Sequence, residues 1–189
     1  SILPLAGGNN MHILRAESPG PSVGKLVPRL RSTVTILYAI YAALTFIEFV
    51  LLLLGGMSLF DAVTTAFATA GTGGFGIKNS SMAEYSVYIQ NVVAIFMVLF
   101  GVNFAIYFLF LIKKPKEALK SEELRTYLGI IFISTIVIGF NIKDSFSSIW
   151  VALQQAFFQV GSIITTTGFS TVDFNTWPAL SKTIIVILM

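Results

Sequence analysis

Long apolar runs alternate with short polar segments along the chain. The run from Thr33 to Leu54 is broken only by Glu48 and would measure about 33 Å as a helix, enough to cross a bilayer. Residues 85–112 and 126–142 carry no charge, and they predict two further membrane spans. A last apolar run opens at Trp177.

A shorter helix is predicted after the first span. Ser58-Leu-Phe-Asp61 fits the S-x-x-D capping pattern, so this helix should begin near Leu59 and run only to about Ala70, where glycines follow. A dozen residues give about 18 Å, which is too short to cross. A second such stretch ends near Ile164, and the repeat described next is the reason to treat it as re-entrant.

Two Thr- and Gly-rich segments, 71–78 and 165–172, follow these short helices. Superposing Phe75 on Phe169 sets an offset of 94 residues and aligns the two segments. The chain is therefore close to two copies of one unit, consisting of a helix, a re-entrant pore helix, a filter strand and a helix. Membranes tolerate non-helical backbone only inside protein or beside water, so the pattern favours a cation-conducting pore.

Composition and charge agree with a polytopic all-α membrane protein. Hydrophobic residues make up 55%, charged residues 11%, and the mean hydropathy is +0.83. Nine of the twelve Lys and Arg residues lie in residues 1–31 and 113–125, which predicts that both segments are cytoplasmic in a plasma-membrane protein. An even number of crossings between them fits two full spans plus one re-entrant helix. The basic residues therefore do not indicate a nucleic-acid-binding surface.

Enzyme chemistry is not indicated. The chain has no cysteine and a single histidine, His12, and no nucleophile–base pair or metal cluster stands out, so we expect no catalytic residues and no cofactor. Gly71, Gly73 and Gly76 match a dinucleotide fingerprint, but no strand precedes them and no helix opens on them. We reject that interpretation.

The filter segments have the composition that cation binding needs. A short helix ending inside the membrane directs the negative end of its dipole inward, and the backbone freedom of glycine lets carbonyl oxygens replace a hydration shell. Phe75 and Phe169 are expected to wedge each segment against neighbouring helices. The predicted cation ligands are the backbone oxygens of Gly71, Thr72, Gly73, Gly74, Phe75, Thr165, Thr166, Thr167, Gly168 and Phe169.

These motifs resemble the TrkH/KtrB-type potassium transporters. Phe60-Asp61-Ala62 leading to Gly73-Gly74-Phe75, and Thr165-Thr-Thr-Gly-Phe169, are similar to the second and third pore segments of that family. Leu3-Pro4-Leu5 and Glu122-Glu-Leu-Arg125 are similar to its cytoplasmic connectors. The resemblance covers nearly the whole chain.

The resemblance implies four helix–pore–helix repeats in one chain, of which two are present here. It further implies K⁺ uptake through the filter residues, a homodimer, and regulation by a cytoplasmic nucleotide-binding subunit. Gly74 and Gly168 match the family's filter glycines, which go with potassium preference. Gly71 and Gly73 make the first filter unusually rich in glycine. The family's gating loop would lie beyond Met189.

The predicted organisation is a connector over 1–31, a first repeat over 32–112, a loop over 113–125 and a truncated second repeat over 126–189. Two alternatives stay open: a secondary transporter with broken helices at a substrate site, and a non-conducting scaffold in which Gly and Thr only pack helices. Glu48 is expected near the outer interface, either as a functional acid or as an acid that makes a structural hydrogen bond or snorkels. Gly101, placed in a long helix away from the filter, is expected to tolerate alanine.

Overall fold

The computed structural model describes residues 30–111 and 113–189 as helices joined by turns and short non-helical segments. The described part contains no β-strand, so the predicted all-α class is confirmed. Its helices are α1 (Leu30–Leu54), α2 (Leu59–Ala70), α3 (Val87–Phe100), α4 (Phe104–Leu111), α5 (Pro115–Leu119), α6 (Glu122–Asn141), α7 (Ile149–Ile164) and α8 (Ala179–Leu188). Short 3₁₀ turns at Lys143–Ser145 and Phe174–Thr176 precede α7 and α8. The predicted connector 1–31 lies almost wholly outside the described residues.

Two of the described helices are long and apolar enough to cross a membrane. They are Val34–Leu54 within α1 and the whole of α6, at 21 and 20 residues. Helix α2 has 12 residues and α7 has 16, about 18 and 24 Å, both below the thickness of a hydrocarbon core. The bounds of α2 agree with the prediction from the capping pattern.

The uncharged run 85–112 is not one straight helix, contrary to our expectation. Helix α3 ends at Phe100, and α4 leaves it at an angle of 89°. The side chain of Asn103 accepts a hydrogen bond from the N–H of Ala105 at 2.9 Å, which caps the start of α4. Its amide nitrogen also lies 3.3 Å from Glu123 in α6. A capping residue in the middle of the run therefore ends one helix and starts another.

Two tyrosines donate hydrogen bonds to carbonyl groups at the end of α3. The hydroxyl of Tyr127 donates to the oxygen of Val98 at 3.1 Å, and that of Tyr107 donates to Leu99 at 2.6 Å. The last carbonyls of a helix have no partner within it, and leaving them unpaired inside a membrane protein costs free energy. The break is therefore a specified feature of the sequence.

The two halves of the described chain share a core. Helix α1 packs against α2 and α3, helix α7 packs against α6 and α8, and contacts between α3 and α7 join the halves. The largest apolar cluster contains first-half residues such as Leu52 and Met97 together with Phe158 and Phe169 from the second half. This junction brings the segments after α2 and α7 side by side.

Candidate functional site

Helix α2 delivers the first Thr/Gly-rich segment to the interior. Its N-cap, Ser58, accepts a hydrogen bond from the N–H of Asp61 at 3.1 Å, and Asp61 occupies the first turn as predicted. The hydroxyl of Tyr85 donates to the Asp61 carboxylate at 3.1 Å. Both contacts fix the outer end of α2, so its carboxyl end at Ala70 has a defined position.

Helix α7 delivers the second segment in the same way. Ser148 caps it by accepting from the N–H of Trp150 at 3.3 Å, and the helix ends at Ile164. Neither α2 nor α7 has a basic residue in its last turn. The negative ends of both helix dipoles are therefore not offset by a positive side chain of their own last turn.

Three backbone hydrogen bonds turn the chain after α2, and three equivalent ones turn it after α7. In the first segment the N–H groups of Gly71, Thr72 and Gly73 donate to the oxygens of Phe67, Thr69 and Ala68 at 2.8, 3.1 and 2.8 Å. In the second, Thr165, Thr166 and Thr167 donate to Gly161, Ile163 and Ser162 at 3.2, 2.9 and 2.9 Å. Each donor and each acceptor in the second segment lies 94 residues after its counterpart in the first, which is the offset found in the sequence.

The two segments also share left-handed backbone conformations. The φ angles are 48° at Thr72 and 57° at Thr166, and 62° at Gly74 and 89° at Gly168. Left-handed φ is costly for an L-residue such as threonine. Its occurrence at matching positions therefore indicates that the two segments share one backbone conformation. Both segments thus combine a helix end with the same left-handed pattern.

Exposure alternates along the second segment. Thr165, Thr167 and Phe169 are buried, whereas Thr166 and Gly168 between them are exposed. The buried hydroxyls are paired: Thr165 donates to the oxygen of Gly161 at 2.7 Å and lies 2.8 Å from the hydroxyl of Thr167. One side of this segment is therefore anchored to α7 and the other is open.

The segments touch each other at Gly74. A Cβ on Gly74 would overlap the carbonyl oxygen of Thr167 and stand 3.1 Å from the carbonyl carbon of Gly168. The Thr167 oxygen therefore points at the first segment. The carbonyl oxygen of Phe169, in contrast, accepts a hydrogen bond of 2.6 Å from the hydroxyl of Ser162.

Phe75 and Phe169 lie in different environments. The Phe169 side chain is fully buried, which agrees with the expected wedge, but Phe75 is 79% exposed. Its ring lies over Gly73, where a Cβ would stand 2.9 Å from the ring edge. Within the described part of the chain the Phe75 ring turns outward, so the expected wedge at the first segment stays a prediction.

Comparison with known proteins identifies the family. A family model described as "TrkH: Cation transport protein" matches residues 1–189, the whole chain. The chain belongs to the TrkH family. This confirms the resemblance inferred from the filter and connector motifs, and together with the apolar helices it makes the chain part of a multi-pass plasma-membrane protein.

Named relatives of this TrkH-family chain are potassium uptake proteins. It is 36% identical over 185 residues to the "Trk system potassium uptake protein TrkH" of Escherichia coli strain K12, a match that covers 94% of the chain and 38% of the relative. It is 31% identical over 193 residues to TrkG of the same strain, covering 100% of the chain and 39% of that relative. The chain thus spans about two fifths of the length of the curated relatives it matches.

A solved structure has the same fold. The crystal structure of the potassium transporter TrkH from Vibrio parahaemolyticus superposes with a TM-score of 0.81 at 30% identity, covering 99% of this chain and 39% of that one. The arrangement of helices described above is therefore a TrkH arrangement.

Gly101 lies close to the second Thr/Gly-rich segment, so the expected location in a long helix away from that segment is wrong. It caps the end of α3, and a Cβ there would overlap the hydroxyl of Tyr127 and stand 2.8 Å from the Cγ2 of Thr165. The bend between α3 and α4 creates this proximity, because it brings Gly101 out of a helix interior and against residues of the second half.

Burial excludes one of the roles expected for Glu48. Its side chain is fully buried between helices, so it does not snorkel to the outer interface. Neither of its carboxyl oxygens has a hydrogen-bond partner among the described residues. Buried ionisable groups of this kind in a span are functional candidates by default.

An ion pair marks the segment after the first filter. The Lys78 ammonium lies 3.1 Å from the Glu84 carboxylate and 4.5 Å from the centre of the Tyr85 ring. A hydrogen bond from Ser80 is the main cause that lowers the pKa of Glu84, and the hydrogen bond and positive charge of Lys78 lower it further. Burial, followed by the hydrogen bond to Asp61, raises the pKa of Tyr85 to about 12.

Sequence reasoning missed the glutamines of this site. Gln90 on α3 and Gln154, Gln155 and Gln159 on α7 lie behind the second filter segment, and Gln159 is almost fully buried. The signal was present, since three glutamines within six positions are unusual in an apolar helix. Gln154 bonds to Gln90, 64 positions away, and Gln155 bonds to Thr171, 16 positions away, and only the structure reveals these pairs.

Proposed function

We propose that this chain forms two of the four helix–pore–helix repeats of a potassium uptake pore, with K⁺ as the transported ion. The observation that carries the proposal is the shared geometry of the two filter segments: matching hydrogen bonds and left-handed residues at the ends of two short helices. The names of the relatives, all of them Trk system potassium uptake proteins, support K⁺ as the ion.

The helix ends supply the electrostatic attraction. The carboxyl ends of α2 and α7 each carry about half a negative charge, and both point to the filter segments. In a low-dielectric interior this stabilises a cation and repels an anion. No carboxylate lies within 71–75 or 165–169, so the dipoles and carbonyl groups provide the negative potential.

The ligands in this proposal are backbone oxygens of residues 71–75 and 165–169. The oxygen of Thr167 packs directly against Gly74, so the two proposed ligand segments lie side by side. The oxygen of Phe169 already accepts a hydrogen bond from Ser162 in α7. Of the ten proposed ligand residues, Phe169 therefore serves mainly to anchor its segment to α7. K⁺ sheds its water into these carbonyl rings and moves down its electrochemical gradient.

The proposed assembly requires parts outside this chain. The remaining two repeats complete the ring around the ion, two copies of the full-length protein form a homodimer, and a cytoplasmic nucleotide-binding subunit regulates it. The predicted boundaries and topology belong to the same proposal. Residues 1–31 and 113–125 are cytoplasmic, and the repeats occupy 32–112 and 126–189.

Complementation of a potassium-uptake-deficient cell tests the proposal. The full-length protein should restore growth at low K⁺, and residues 1–189 alone should not, because two filter segments cannot encircle an ion. Growth that required an organic solute, with no cation conductance, would favour a secondary transporter. A correctly inserted full-length protein without transport would favour the scaffold.

A further inference from the structure

A chain of hydrogen-bonded side chains lies behind the second filter segment and runs from it to the first half of the molecule. Its members are Thr171, Gln155, Gln154 and Gln90, which we call the glutamine chain. Thr171, Gln155 and Gln90 are buried, with exposed fractions of 6, 8 and 5%. No part of the proposed conduction pathway uses them.

The hydrogen bonds of the glutamine chain all run in one direction. The hydroxyl of Thr171 donates to the Oε1 of Gln155, whose Nε2 donates to Gln154 at 3.4 Å. The Nε2 of Gln154 in turn donates to the Oε1 of Gln90 at 3.2 Å. Each amide accepts with its oxygen and donates with its nitrogen, and bonds aligned in this way polarise and strengthen one another.

The glutamine chain ends on the backbone that follows the first filter. The Nε2 of Gln90 donates to the oxygens of Met82 and Tyr85, both at 3.1 Å. The N–H of Met82 donates to the oxygen of Ser170 at 2.9 Å, and the N–H of Ser170 donates to the hydroxyl of Ser81 at 3.2 Å. Ser170 is the neighbour of Thr171, so the bonds close a ring between the two halves.

We propose that the glutamine chain is a positioning device that holds the outer end of the second filter segment against the first repeat and thereby sets cation selectivity. Its residues act through the backbone of 169–172 and do not touch the ion. The part that concerns selectivity rests on the proposed potassium function. The part that concerns the position of the segment stands on the hydrogen bonds alone.

Breaking one link affects the whole ring. A leucine in place of Gln155 cannot accept from Thr171 or donate to Gln154, so the buried hydroxyl of Thr171 and the half-buried amide of Gln154 lose their partners. The buried Thr171 hydroxyl regains a partner only if the segment moves. The movement starts at Thr171, two residues from Phe169 and three from Gly168.

The test uses the full-length protein with Q155L, Q90L and the double variant. Each single variant should lower the K⁺/Na⁺ permeability ratio, by roughly fivefold or more because buried polar groups are left unpaired. The double variant should be no worse than the more affected single one, since both break the same ring. T171V removes only a hydroxyl, keeps the side-chain shape, and should also lower the ratio.

N141L is the matched control. Asn141 accepts a hydrogen bond of 2.7 Å from Ser181, a contact that joins α6 to α8 and not to the filter segment. N141L should leave the permeability ratio unchanged at matched surface amounts. An equal loss in N141L would mean that any lost polar contact between helices has this effect, and it would overturn the proposal.

Hydrogen exchange supplies a readout that does not depend on transport. Amides of residues 165–172 should exchange faster in Q155L and Q90L than in the unmodified protein, and those of 71–76 should change less. Unchanged exchange and unchanged selectivity in all three single variants would overturn the proposal, as would multiplicative effects in the double variant. Absence of K⁺-selective transport in the unmodified protein would contradict the proposed function, while the exchange result would still decide the positioning role.

Discussion

Replacing each filter glycine by alanine should have unequal effects, and the inequality follows from the surroundings of the two residues. Gly74 and Gly168 both have left-handed φ, 62° and 89°. An L-residue in this region costs about 1–2 kcal/mol, and that cost is common to both variants. A relaxed filter would thus gain population by about 5- to 30-fold relative to the native one.

G74A carries a second cost that G168A lacks. Its Cβ would overlap the carbonyl oxygen of Thr167, a backbone atom that cannot move aside like a flexible side chain. Among the described residues of this chain, nothing lies within 4 Å of a Cβ on Gly168. G74A must therefore separate the two filter segments, whereas G168A only strains one of them.

The assay is the K⁺/Na⁺ permeability ratio, or Rb⁺ uptake in competition with Na⁺, for full-length variants at matched surface amounts. We expect G168A to reduce the permeability ratio by no more than the 5- to 30-fold that corresponds to about 1–2 kcal/mol of backbone strain. G74A should reduce the ratio further. Serine at the same positions should follow the same order. An effect of G168A equal to or larger than that of G74A would refute the reasoning, because the contact between Gly74 and Thr167 would then not matter in the working pore.

Three further predictions concern other parts of the chain. Single cysteines at Asn79 and Asn175 should react with an impermeant thiol reagent in intact cells, whereas a cysteine at Ser121 should not, and labelling at position 121 would overturn the topology. Tyr85 has a pKa raised to about 12 in the folded protein, from an ordinary value of 10, so its stabilising contribution is complete below pH 10 and is lost as the pH rises through 12. Melting curves of the solubilised protein should show this alkaline loss, and the loss should be smaller in Y85F; identical curves would contradict the raised pKa of Tyr85. G101A should lower selectivity or melting temperature through its contact with Thr165, while alanine at Gly129, where no atom of the described residues lies within 4 Å of a Cβ, should change neither.

Sequence patterns predicted what depends on neighbours along the chain. The capping pattern at Ser58 gave the start of α2, and the glycines after Ala70 gave its end. The alignment of Phe75 with Phe169 located two segments whose backbone hydrogen bonds also match at that offset. These features are local, since a cap or a helix end is determined within a few residues.

Features that depend on distant contacts were not predictable in the same way. An uncharged run hides the break at Gly101, because apolar residues cover both helices and only the cap at Asn103 indicates the start of α4. The contact of Gln154 with Gln90 joins residues 64 positions apart, which no periodicity reveals. The different environments of Phe75 and Phe169 arise because α7 and α3 pack over the second segment, a tertiary effect that identical motifs cannot encode.

Locating the ion is the most direct test of the account. Crystals of the full-length protein grown with Tl⁺ in place of K⁺ would give an anomalous difference map in which the heavier cation stands out. The account predicts a peak bordered by the backbone oxygens of residues 71–74 and 165–168, together with the two other repeats. A transport-competent protein with its peak away from both segments would contradict the proposal that these carbonyl groups bind the transported ion.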